Sequence, residues 1–72
     1  MKVKEKLYFA CLSTAGGLIN IKHAGLNIGD EVTTVNELDK VVQTGAMSFI
    51  VVSRDERMAF DTLYEHVKAV SI

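Results

Sequence analysis

The sequence of 72 residues has no proline, one cysteine, and only three phenylalanines and two tyrosines. It also lacks any long apolar run and any strong excess of one charge. Each shortage excludes something. With Cys11 alone, no disulfide can form within the chain, so this is not a disulfide scaffold, and the simplest location is the cytoplasm. Without proline, the loops must be fixed by glycine, asparagine and side-chain anchors. No stretch approaches the roughly 18–20 apolar residues of a membrane span. The charged start, Met1 to Lys6, is shaped like the beginning of a signal peptide. The apolar segment behind it, Leu7 to Leu12, is too short for one and leads into a turn, so the chain reads as soluble. This length allows one domain at most, spanning residues 1–72, and a marginal one. Apolar residues make up 49% of the chain, which is enough for one core.

The net charge of −1 argues against a dedicated nucleic-acid binder. Its distribution is uneven. Residues 1–22 carry Lys2, Lys4, Lys6 and Lys22 against Glu5, whereas residues 23–72 carry four bases against eight acids. Lysines along a strand edge also keep it soluble and resist edge-to-edge pairing.

Against this sparse background one stretch stands out, Gly45 to Ser53. Its centre, Phe49-Ile50-Val51-Val52, is a continuous apolar run with three β-branched residues, the pattern of a strand buried on both faces. Thr34-Val35-Asn36-Glu37 precedes it and Ser53-Arg54-Asp55-Glu56 follows it, and both have the Ser/Thr-x-x-Glu form of a capping box. The expectation is a helix from Val35 to Thr44, capped by Thr34 and ended by Gly45, then a strand over Met47–Val52. A second helix is expected from Arg54 to Val70 with Ser53 as its cap. Phe60, Leu63, Tyr64, Val67 and Val70 give this second helix an apolar stripe.

Upstream, Val3 to Ser13 alternates as a strand. Val3, Leu7, Phe9 and Cys11 form its expected core face, and Lys4, Lys6, Tyr8, Ala10 and Leu12 the other. Ser13 to Gly17 reads as a turn, with Gly16-Gly17 supplying its conformational freedom, and Leu18 to His23 as the return strand. Ala24 to Thr33 reads as a compact loop with a short strand at Glu31–Thr33. The order is then β-β-α-β-α, a small two-layer α+β domain with two helices on a three-stranded sheet. Which hairpin strand the third strand joins is left open.

No chemistry-bearing constellation stands out. Cys11 lies on an apolar strand without a basic neighbour to activate it. His23 and His66 belong to no metal-ligand spacing, and the glycines match no phosphate-binding loop. The expectation is therefore a non-enzymatic chain with no catalytic residues, cofactor or metal. Its small size suits an accessory or inhibitor-type protein such as phages encode. It would bind a protein partner, and a second copy of itself as a homodimer, through an apolar and aromatic surface. Candidates for that surface are Tyr8, Ala10, Leu12, Met47, Met58 and Tyr64, since methionine and tyrosine are enriched at such contacts. The alternative is weak nucleic-acid binding by a basic patch of Lys4, Lys6 and Lys22 interleaved with Tyr8.

Overall fold

The computed structural model describes residues 1–15 and 18–70. Four strands and one helix follow one another: β1 (Leu7–Ala15), β2 (Leu18–Leu26), β3 (Val42–Gly45), β4 (Ser48–Ser53) and α1 (Glu56–Val70). The strands form one antiparallel sheet in the order β2-β1-β4-β3. β1 takes an inner position because both of its side-chain rows are largely apolar. β4, the Phe49–Val52 run, lies beside β1 rather than beside β2, with Ala10 opposite Val51 and Leu12 opposite Phe49.

This corrects the expected architecture, since the sheet has four strands instead of three and carries one helix instead of two. The difference lies in residues 34–45. No helix starts at Thr34. The chain runs irregularly to Val41, with Asp39 in the left-handed region at φ 59° and its N–H donating to the Val52 carbonyl at 2.8 Å. It then forms β3, which turns through Ala46 and Met47 into β4. Neighbouring side chains explain the choice. Val41 packs into the core beneath α1, whereas Val42 packs into the core on the opposite face of the sheet. Successive residues of an extended chain point to opposite sides; successive residues of a helix do not. Val35 and Leu38 meanwhile cover the face away from α1.

There are accordingly two cores. Ala10, Leu12, Phe49 and Val51 pack against Ala59 and Leu63 of α1. On the other face, Val3, Leu7, Val35 and Val52 are buried, with Phe9, Leu26, Val32, Leu38 and Ile50 partly so. The row of β1 beneath the helix is thus Ala10 and Leu12, and the row expected to face the core, with Val3 ahead of it and Leu7 and Phe9 in it, faces the second core on the opposite side.

The first residues do not extend β1. The Val3 N–H donates to Asp30 at 2.9 Å, and the N–H groups of Gly29 and Val32 donate to Val3 and Met1, each at 2.8 Å. β2 continues to Leu26, past the expected end at His23, and the short strand expected at 31–33 is reduced to a single bridge between Lys2 and Glu31. Gly29, at φ 97°, closes the turn between them. The turn expected at Gly16-Gly17 lies outside the described residues.

The second expected helix is present within two residues of its anticipated start. Its cap is not where the sequence placed it. Ser53 belongs to β4 opposite Tyr8, its buried hydroxyl has no hydrogen-bond partner among the described residues, and the first helical bond runs from the Ala59 N–H to the Asp55 carbonyl at 3.0 Å. The buried line of the helix is Ala59 and Leu63, flanked by partly buried Phe60 and Val67, while Tyr64 is half exposed. The Val70 side chain lies outside the described residues. No helix among the described residues is long and apolar enough to cross a membrane.

Candidate functional site

β2 reaches beyond the area that α1 covers, and its α1-side row there contains His23, the register partner of Ala10. The first turns of α1 bring Glu56 and Phe60 over it. His23 Nδ1 lies 2.8 Å from Glu56 Oε1, and the His23 and Phe60 rings meet edge-on with centroids 5.1 Å apart. Tyr64, one turn further along the helix, stacks on Phe60 at 6.4 Å with 23° between the ring planes. The i, i+4 spacing of Glu56, Phe60 and Tyr64 places all three on one ridge. His23 and Tyr64 are each about half exposed. The result is a continuous strip from β2 onto the helix, aromatic along its length and anchored by an acid at the helix start, where negative charge meets the positive end of the dipole.

Chemically, the Glu56 carboxylate orients the imidazole, an arrangement that also occurs in base catalysis. The one thiol stands on the other side of the sheet, because Cys11 shares its row with Leu7 and Phe9. Among the described residues, no group of three or more His, Cys, Asp or Glu is placed to hold a metal ion. On the face away from α1, a groove of about 240 Å³ has Phe9, Leu26, Ile50 and Val52 in its walls. That is below the roughly 300–1,000 Å³ of ordinary ligand pockets.

Comparison with family models, curated proteins and solved structures gave no match to this chain.

The residues singled out in the sequence are dispersed. Leu12 and Ala10 are in the core beneath α1. Met47 is exposed in the turn between β3 and β4, at the far end of the sheet from Tyr8, and Met58 is exposed on α1. Met58 and Phe60 flank the buried Ala59 on opposite sides of the helix, so Met58 does not join the strip that ends in Tyr64. Tyr8 is half-buried under the Lys6 ammonium, 5.7 Å from its ring centre. Lys6 and Tyr8 share the α1 side of the sheet, next to Gly25, whereas Lys22 is the register partner of Cys11 and stands on the other face. Lys4 is exposed in the segment before β1. Lys4, Lys6 and Lys22 therefore form no single patch.

His23, Glu56 and Phe60 escaped the sequence reading, which explained them as a strand end, a cap and a core residue. The helical ridge of Glu56, Phe60 and Tyr64 was visible in the spacing. That His23 completes it depends on the pairing of β2 with β1, which spacing alone does not give.

Proposed function

We propose that this chain is a small non-enzymatic protein-binding module, of the accessory or inhibitor type that phages encode, acting in the cytoplasm as a homodimer. The observation that carries the reading is the half-exposed strip His23–Phe60–Tyr64. Aromatic side chains bury much surface at little entropic cost and recur among the residues that dominate binding energy. Ring-on-ring contacts and the Glu56 pair hold the strip in place before a partner arrives, which lowers the ordering cost of association.

The test is affinity capture with three baits: the wild type, Tyr64→Asp on the strip, and Met58→Asp on the other flank of the helix. A protein retained by the wild type and by Met58→Asp, and lost with Tyr64→Asp, supports the strip. Equal retention by all three baits rejects it. The rival reading has one observation in its favour, the Lys6 ammonium beside the half-buried Tyr8 ring. It requires oligonucleotide binding that weakens steeply with salt and is lost when Lys4, Lys6 and Lys22 are changed to Gln.

A further inference from the structure

The two outer strands of the sheet are built differently. β3 has four residues, its register is interrupted between Gln43 and Gly45, and the Gln43 amide folds back onto the carbonyls of Gly45 and Ala46. Short length and irregular register are the usual ways of blunting a sheet edge. β2 has nine residues in unbroken register with β1, no proline and no bulge. Its Leu18 and Ile19 are 76% and 67% exposed.

The hydrogen-bonding phase of that edge follows from one bond. The Thr14 N–H donates to the Met47 carbonyl at 3.1 Å, so even-numbered residues of β1 direct their backbone groups to β4 and odd-numbered ones to β2. Through the register Ser13–Asn20, Cys11–Lys22 and Phe9–Ala24, the residues of β2 that bond back to β1 are Asn20, Lys22 and Ala24. Ile19, Ile21, His23 and Gly25 therefore turn their N–H and C=O groups outward.

We propose that this edge pairs antiparallel with β2 of a second copy, with Ile21 opposite Ile21 across a two-fold axis. The two sheets then become one of eight strands with both helices on the same side. This deepens the self-association in the function proposed above and rests on it.

The register is chosen by its side chains. Centring on Ile21 sets Ile19 against His23, Leu18 against Ala24 and Asn20 against Lys22, and it engages Ile19, Ile21 and His23, three of the four outward-facing residues. Centring on Lys22 would put two ammonium groups directly opposite each other, which is destabilising. Centring on Asn20 would leave His23 and Ala24 unpaired.

The edge's own side chains point to a second copy: Leu18 and Ile19 are apolar yet largely exposed along an unblunted strand, and the same strand supplies apolar partners for them in the antiparallel register. The join also brings the two aromatic strips onto one face, where a single partner can engage both.

Sedimentation velocity over a concentration series tests this on the wild type, Ile19→Pro and Ile19→Lys. Ile19 is exposed and its N–H points outward, so proline removes nothing from the monomer's own sheet. The expected result is a concentration-dependent dimer in the wild type, weakened at least about tenfold in both variants by the loss of interchain bonds or of the apolar contact. The dimer should also tighten as salt rises, because the two Lys22 side chains lie diagonally across the join at about 7–8 Å.

Crosslinking reads the register directly. Asn20→Cys and Lys22→Cys chains, each also carrying Cys11→Ala, are oxidised separately and as a mixture. A disulfide between the two different chains that exceeds either homodimeric one supports the Ile21-centred pairing. A homodimeric disulfide that dominates, whether between two Asn20→Cys chains or between two Lys22→Cys chains, overturns it. A dimer indifferent to both Ile19 substitutions, with no crosslink, overturns the β2 edge alone and leaves self-association through another surface. A strict monomer overturns both.

Discussion

Ser53→Ala should stabilise the protein, although the sequence pattern around Ser53 implies the reverse. If Ser53 capped the helix, alanine would remove an N-cap bond and half of a capping box, at a cost of roughly 1 kcal/mol. In the structure Ser53 is 0% exposed, in the last position of β4 opposite Tyr8, and its Oγ has no partner among the described residues. An unpaired buried hydroxyl costs about 1–3 kcal/mol of desolvation. Alanine keeps the Cβ and the β4–β1 ladder and removes only the oxygen, so the loss of its dispersion contacts offsets part of the gain. A net stabilisation of roughly 1 kcal/mol is expected. For a domain of this size that raises Tm by about 4–8 °C. Urea unfolding followed by helical circular dichroism should show a higher midpoint with an unchanged slope. Asp55→Asn provides the counterpart. It removes the negative charge from the residue whose carbonyl accepts the first helical bond, and should cost about 0.3–1 kcal/mol. A lower midpoint for Ser53→Ala would refute the reasoning and return the cap to Ser53.

Leu63→Ala should cost about 2–5 kcal/mol, since Leu63 is a fully buried member of the core beneath α1; a loss below about 1 kcal/mol in the same urea assay would mean that the helix is loosely seated. Gly29→Ala should cost about 1 kcal/mol through backbone strain alone, because φ is 97° and nothing lies within 4 Å of the added Cβ; an unchanged melting curve would show that the turn relaxes. Cys11, half-buried on the sheet, should react with a water-soluble thiol reagent much more slowly in native buffer than in urea, and equal rates would place it in solvent.

The parts of the fold that could be read from the sequence are those where local preference and tertiary demand coincide. α1 repeats its apolar stripe over several turns, and Phe49–Val52 is apolar on both faces because it is covered on both. The hairpin alternates at period two. The segment 34–45 misled because a capping box is a statement about four residues. Thr34 and Glu37 satisfy its form, yet Val41 and Val42 are needed on opposite sides of the sheet, and that demand prevailed. Which face of β1 the helix covers was not legible for a related reason. With both rows mostly apolar, periodicity shows that the strand is covered twice but not which cover is the helix. The strip could be read only as far as the helix carries it, and His23 entered through strand register.

The inner position of β1 has a consequence for how the protein is made. Residues 7–15 are synthesised before the strand on their second side, residues 48–53. At roughly 5–20 residues per second, the hairpin of β1 and β2 waits about 1–5 seconds with its future interior edge open. During that interval the nascent chain offers two pairing edges instead of one, and Ala10 and Leu12 lack both β4 and α1 to cover them. The lysines at positions 2, 4, 6 and 22 are already present at that stage. Like charges of this kind on an open strand edge disfavour edge-to-edge pairing with another hairpin.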